Sequence, residues 1–254
     1  MIGGRKRADL RHAFLRVERL SKQFGGLRVL EDIRFQLAPG EVLGVIGPNG
    51  AGKTTLINMI SGRITPTNGH VFLGDVDVTG WPTHKLSRWG VVRSFQQTNI
   101  FQGQTVRENL LRAIRFSRGS LHFLANVGDL LNSFGLAVRM EEQSNKLAYG
   151  LQKMLGLMMA YATNPGVLLL DEPAAGLERG ERRRIDEFVA HAQRYAGSAV
   201  LIVEHDMELV RRLCPRVLVM DGGHVLAEGA PAEVLARTDV IEAYLGAGSD
   251  GLAA

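Results

Sequence analysis

Gly47-Pro48-Asn49-Gly50-Ala51-Gly52-Lys53-Thr54 demands a tight turn between a strand and a helix, and that demand constrains the rest of the chain. The octet follows the phosphate-loop pattern G-x-x-x-x-G-K-[ST]. Before it, Val42-Leu43-Gly44-Val45-Ile46 reads as a short buried strand. After it, Thr55-Leu56-Ile57-Asn58-Met59-Ile60 starts a helix that Gly62 ends. The glycines let successive backbone N–H groups converge on one anion, at a helix N-terminus that already favours negative charge. Lys53 is placed to reach terminal phosphates, and the Thr54 hydroxyl to ligate Mg²⁺. The alternative is a bare glycine-rich strand-to-helix turn, and the flanks argue against it. A nucleoside triphosphate is the expected ligand.

Short β-like runs alternate with helical patterns, which predicts an α/β fold with helices packed on a sheet. At 254 residues the chain suits one large core with a small inserted subdomain. Phe14 to Leu20, Val29 to Leu37 and Val42 to Ile46 read as strands, with turns at Gly25-Gly26 and Pro39-Gly40. His70 to Leu73 and Val91 to Phe95 follow. Thr105, with Glu108 three positions on, signs a capped helix. Further helical patterns cover Asn126 to Gly135 and Gly150 to Ala162. Val167 to Leu170, Ala199 to Val203 and Val217 to Met220 are continuous apolar runs of the kind that buried parallel strands show. The expected organisation is a basic arm over 1–13, one domain over 14–246 with a helical insertion at about 98–163, and a flexible tail over 247–254.

Charge narrows the partners. The net charge is +4, and Arg5, Lys6, Arg7, Arg11 and Arg16 against Asp9 supply all of it within the first sixteen residues. The basicity belongs to an N-terminal arm, either a solvated tail or a weak contact for an anionic membrane surface. No extended basic groove is indicated, so no nucleic acid is expected. No apolar run approaches the roughly 18 residues of a membrane span, and no signal peptide is expected at the start. Cys214 is the single cysteine, which rules out an internal disulfide and fits a reducing compartment. It reads as buried filler rather than a nucleophile.

A second constellation lies downstream. Val167-Leu168-Leu169-Leu170-Asp171-Glu172-Pro173 delivers two carboxylates at the C-terminal end of an apolar strand, where open α/β sheets bind ligands. Asp171 is placed to hold the Mg²⁺ shell, and Glu172 to orient and deprotonate an attacking water. One strand later Val203-Glu204-His205-Asp206 repeats the arrangement with a histidine at the tip, a phosphate-facing residue or a structural one.

With Leu147-Ala148-Tyr149-Gly150-Leu151 between them, these motifs resemble the ATP-binding cassette (ABC) ATPases. That family orders a phosphate loop, a glutamine after a strand, a signature near Leu-Ser-Gly-Gly-Gln, a Leu-Asp-Glu-Pro strand end and a switch histidine. All five occur here in order, over about residues 14 to 246. The resemblance implies a P-loop NTPase fold of the ABC type, with an N-terminal antiparallel β subdomain and an inserted helical subdomain. It implies ATP and Mg²⁺ as cofactors. Nucleotide contacts would come from Gly47, Pro48, Asn49, Gly50, Ala51, Gly52, Lys53, Thr54 and Thr55. Phe24 lies where the family's adenine-stacking aromatic precedes the loop, although a packed strand-end phenylalanine is equally compatible. Gln96 would sense the γ-phosphate and, with Thr54 and Asp171, the metal; Gln97 is its neighbour. Glu172, His205 and Gln96 would be the catalytic set.

The signature, Leu147 to Leu151, would act on the nucleotide of a second cassette, because Gly150 opens a helix whose N–H groups suit a phosphate. Ala174-Ala175-Gly176-Leu177 would cross that interface. The wording Val92-Arg93-Ser94-Phe95-Gln96, Leu147-Ala148-Tyr149-Gly150, Asp171-Glu172-Pro173-Ala174-Ala175-Gly176-Leu177 and Glu204-His205-Asp206-Met207 looks like the ATPase subunits of branched-chain amino-acid importers. Asp239 to Gly246 is similar to the way those subunits end. Relatives handling urea or short amides share much of this wording.

Four departures stand out. Leu151 replaces a usual glutamine, Gly156 and Met159 replace a frequent glutamate and arginine, and Glu178 replaces Asp or Asn. Met154, Met158 and Met159 at helical spacing read as core packing. The implied protein is a transport ATPase on the cytoplasmic face of the membrane. Its implied partners are two membrane-spanning permeases, a second ATPase subunit of the same or another chain and, indirectly, a substrate-binding protein. Thr98-Asn99-Ile100-Phe101 is expected to present two large apolar residues to a permease helix. An ABC ATPase of chromosomes or ribosomes is the alternative. The missing coiled coil and the presence of one cassette argue against it. A binding-only module is disfavoured by Lys53, Gln96, Asp171, Glu172 and His205 together.

Overall fold

The computed structural model describes residues 14–94, 100–116 and 121–249. Two sheets organise it. Strands β1 (Leu15–Phe24), β2 (Leu27–Leu37), β4 (Asn68–Leu73) and β5 (Val76–Asp77) form an antiparallel sheet in the order β2-β1-β4-β5. Strands β3 (Val42–Ile46), β6 (Val91–Ser94), β7 (Val167–Asp171), β8 (Ala199–Val203), β9 (Arg216–Asp221) and β10 (His224–Gly229) form the second, in the order β10-β9-β3-β8-β7-β6. Its pairings are parallel except that of β9 with β10. This is the expected α/β fold, including the antiparallel subdomain.

Residues of β3, β7 and β8 are buried throughout, which explains why they read as unbroken apolar runs. Alternate residues enter different cores. Val42, Ile46, Leu168, Leu170, Val200 and Ile202 join a core shared with the helices. Leu43, Val45, Val167, Leu169, Leu201 and Val203 join one shared with the antiparallel sheet and helix α1 (Lys53–Ile60). Each fully buried side chain of this kind contributes about 1.5–3 kcal/mol, so the register of the sheet is strongly specified.

Helix α2 (Thr83–Arg88) precedes β6. Between β6 and β7 lie α3 (Val106–Phe116), α4 (Leu121–Ser133) and α5 (Tyr149–Tyr161). Helix α3 begins as the sequence predicts. The Glu108 N–H donates to Thr105 Oγ1 at 3.1 Å, and the Thr105 N–H donates to Glu108 Oε2 at 2.8 Å. Met154 and Met158 of α5 are fully buried and Met159 packs beside them.

Helices α6 (Arg179–Ala196), α7 (Met207–Leu213), α8 (Pro231–Val234) and α9 (Thr238–Ser249) complete the chain. Helix α9 runs to Ser249, so residues 247–249 are helical where a flexible tail was expected. No helix among the described residues is long and apolar enough to cross a membrane.

Ile100 corrects one expectation. It is buried in the helical core rather than presented outward, while its neighbour Phe101 remains 44 % exposed. Asn109, itself fully buried, explains the split. Its Oδ1 accepts the Phe101 N–H at 2.7 Å and its Nδ2 donates to the Phe101 carbonyl at 3.1 Å. This two-way grip fixes the backbone so that consecutive side chains point to opposite sides.

Candidate nucleotide-binding site

The phosphate loop joins the buried strand β3 to α1, as its motif requires. Gly52 caps the helix in the left-handed region, with φ 96°, and a Cβ there would run into Leu30. Only glycine meets both conditions without strain. Asn49, Gly50 and Thr54 are exposed, whereas Gly47, Pro48 and Ala51 are buried and fix the loop to the sheet. Lys53 folds back over the loop, donating to the carbonyls of Gly47 at 2.7 Å and Pro48 at 2.8 Å. Burial pushes its pKa down and the Glu172 carboxylate partly offsets this. An ammonium on the phosphate loop and a carboxylate at the end of β7 therefore share one field, although 119 residues separate them in sequence.

Asp171 ends β7 at 3 % side-chain exposure and pairs with Arg93 of β6, at 2.6 Å from Nη2 to Oδ2. Arg93 also donates to Asn58 Oδ1 of α1 at 2.6 Å. The pairing joins β6, β7 and the phosphate-loop helix through one buried guanidinium. Sequence reasoning passed over Arg93. Its signal was a single charge inside the apolar run Val91-Val92-Arg93-Ser94, which demands a partner when buried.

Glu172 follows with φ 45°, a left-handed conformation uncommon outside glycine. Its N–H donates to the Val203 carbonyl at 2.9 Å. His205, just past β8, is 67 % exposed at the tip, with Nδ1 3.8 Å from Glu204 Oε2. Asp206 caps α7, accepting from the N–H groups of Glu208 and Leu209, and pairs with Arg182 at 2.5 Å. Phe24 is 46 % exposed at the end of β1, so it is not packed away, and the Lys22 ammonium lies 4.8 Å from its ring centre. Thr55 is half-buried on α1. Gln96 and its neighbour Gln97 lie outside the described residues.

The motif Leu147 to Leu151 spans the start of α5. Leu147 is buried, Ala148 and Tyr149 are exposed, Gly150 is buried and Leu151 is half-buried against the core. A Cβ on Gly150 would land on the Glu181 carboxylate of α6. Any larger residue there would have to displace the Glu181 side chain. The same Glu181 accepts the Glu178 N–H at 3.1 Å, so Glu178 stands at the N-terminal cap of α6.

Residues 30–175 match the model of the ABC transporter family, and residues 224–250 match that of the branched-chain amino acid ATP-binding cassette transporters. This chain is an ABC transporter ATPase. It is 38% identical over 248 residues to the high-affinity branched-chain amino acid transport ATP-binding protein LivG of Escherichia coli (strain K12), covering 91% of this chain and 97% of LivG. Its identity to BraF of Pseudomonas aeruginosa, which bears the same description, is 35% over the same shares. Among solved structures, the ADP conformation of an ATP-binding cassette of an ABC transporter superposes with a TM-score of 0.79 at 29% identity, covering 92% of this chain and 99% of that one.

The ATPase fold and its ATP-binding cassette are thus established. The branched-chain match falls on β10, α8 and α9. Tyr244 of α9 packs half-buried against the helical core, and burial pushes its hydroxyl pKa up to about 12.

Proposed function

We propose that this ABC ATPase powers an importer of branched-chain or other hydrophobic amino acids from the cytoplasmic face of the membrane. The observation that carries the reading is the match of the C-terminal segment, residues 224–250, to the branched-chain amino acid ATP-binding cassette transporters. LivG and BraF, similar over nearly their whole length, are described as branched-chain amino acid transport proteins.

In this reading Lys53 turns from the carbonyls of its own loop to the phosphates, and Glu172 takes the proton of the attacking water. The contribution of such a base is typically 10²–10⁴-fold in rate. Gln96 and His205 sense the γ-phosphate. Gly47 to Thr55 hold the phosphates and Phe24 stacks on the base. The donors near the loop fit Mg²⁺: the Thr54 hydroxyl and the Asp171 carboxylate are hard oxygen ligands. Mg²⁺ commonly takes only one or two protein groups and leaves its other positions to phosphates and water. Among the described residues no group of three or more His, Cys, Asp and Glu could hold a metal. When bound, Mg²⁺ would neutralise phosphate charge.

The partners of this reading are two permeases, a substrate-binding protein acting through them, and a second cassette whose nucleotide meets Leu147 to Leu151. Phe101, with the exposed Leu111 and Val138, offers apolar contact for the permeases. The test is reconstitution in proteoliposomes with the permease and binding-protein genes beside this one. ATP-dependent uptake of leucine, isoleucine or valine is expected, and Lys53→Ala should abolish it. Uptake of urea or a short amide without leucine would place the chain in that branch. ATPase stimulation by DNA or ribosomes with no uptake would overturn the transport reading.

A further inference from the structure

The turn that follows Glu172 is held from two sides by buried charges that no part of the nucleotide site requires. Lys153, on α5 one turn beyond Gly150, is 5 % exposed. Its Nζ donates to the carbonyl of Glu172 at 3.0 Å and to that of Ala175 at 2.5 Å. Glu204, at the end of β8 and 1 % exposed, takes the opposite groups. Its Oε1 accepts the Ala174 N–H at 2.9 Å, and its Oε2 accepts the N–H of His205 at 3.1 Å. The turn closes on itself through the Ala175 N–H, which donates to the Glu172 carbonyl at 3.1 Å. From the Glu172 N–H to the Ala175 carbonyl, these bonds account for nearly every backbone polar group of the turn. Little freedom is left to a segment that must keep Glu172 at φ 45°.

Burial pushes the Lys153 pKa down, and the Glu204 and Glu172 carboxylates counter it. An ammonium and a carboxylate buried to this degree need compensating partners, and here the partners are the backbone dipoles of one four-residue turn. We propose that Lys153 and Glu204 are positioning residues for ATP hydrolysis, a two-sided clamp that sets the Glu172 carboxylate and ties it to the signature helix and to His205. Lys153 belongs to the helix that begins at the signature, and Glu204 is bonded to the backbone of the switch histidine. A shift of either element therefore moves the turn carrying the base. The inference rests on the reading of Glu172 as the general base.

The test uses the full-length chain with its membrane subunits and four substitutions: Lys153→Met, Lys153→Arg, Glu204→Gln and Glu172→Gln. Misplacing a reacting group by about 1 Å can cost on the order of 10²-fold in rate. Lys153→Met should lower kcat by up to about that factor, while the KM for ATP and the affinity for a fluorescent ATP analogue change by less than about twofold. Lys153→Arg, which keeps a cationic donor, should restore most of kcat. Glu204→Gln keeps its acceptor but loses its charge, so it should fall between these two. Combining Lys153→Met with Glu172→Gln should cost no more than Glu172→Gln alone, because groups acting as a unit are not additive. If Lys153→Met does not fold, Lys153→Gln carries the same comparison. Normal kcat in Lys153→Met beside a dead Glu172→Gln overturns the clamp and leaves the base intact. Parallel losses of ATP affinity and kcat overturn it too, as a merely structural role. Active Glu172→Gln would remove the base itself.

Discussion

At the residue scale, Cys214 gives the simplest check on the packing of the core. It is 2 % exposed and packs where Gly44 of β3 leaves room, and burial pushes its thiol pKa up to about 12. The thiol is then overwhelmingly neutral at pH 8, and the thiolate is the reactive species. Labelling by iodoacetamide at pH 8 is expected to be negligible in the native chain and rapid in denaturant. Fast native labelling would contradict the packing around β3. Cys214 was legible in the sequence because an apolar neighbourhood surrounds it. Arg93 and Lys153 were not, because their partners are brought to them only by the fold. Arg93 meets Asp171 across 78 positions, and Lys153 meets Glu172 across 19. What the sequence does show at both places is a lone charge among apolar residues, a sign of burial with an unnamed partner.

At the scale of elements, the segment entering α3 separates packing from docking. The expectation that Ile100 and Phe101 face outward together failed: Ile100 is buried in the helical core while Phe101 stays exposed. Asn109 then fixes which one goes in. Truncating a buried isoleucine typically costs about 2–5 kcal/mol, and burying a carboxylate in its place costs more. Ile100→Asp should therefore lower Tm by on the order of 10 °C or more in a chain of this size. Phe101→Asp should leave Tm and ATP affinity nearly unchanged and weaken association with the permeases. Equal destabilisation by both would mean that Phe101 is also packed, and full transport by Phe101→Asp would exclude it from docking. The strands were easier to read than this junction. Burial on both faces leaves an unbroken apolar run in β3, β7 and β8, a signal that survives without knowledge of neighbours. Where the antiparallel sheet recruits β4 and β5 from beyond the phosphate-loop helix, only tertiary pairing decides membership, and local pattern could not reveal it.

For the whole molecule, the central claim is that one field joins the phosphate loop to the end of β7, so that Lys53 binds and Glu172 cleaves. The sheet order sets this up: β3 and β7 are separated by β8 alone, and all three run parallel. Their C-terminal ends therefore open on the same side, carrying Gly47, Glu172 and His205. Motif order along the chain makes this legible in the sequence, because each motif is local and ends its own strand. The direct measurement is ATP binding and turnover of the full-length chain, with its membrane subunits, in wild type, Glu172→Gln and Lys53→Ala. Glu172→Gln should bind ATP as well as the wild type while its turnover falls by about 10²–10⁴-fold, and Lys53→Ala should lose affinity as well as turnover. Near-normal turnover by Glu172→Gln, or unchanged ATP affinity in Lys53→Ala, would contradict this division of labour.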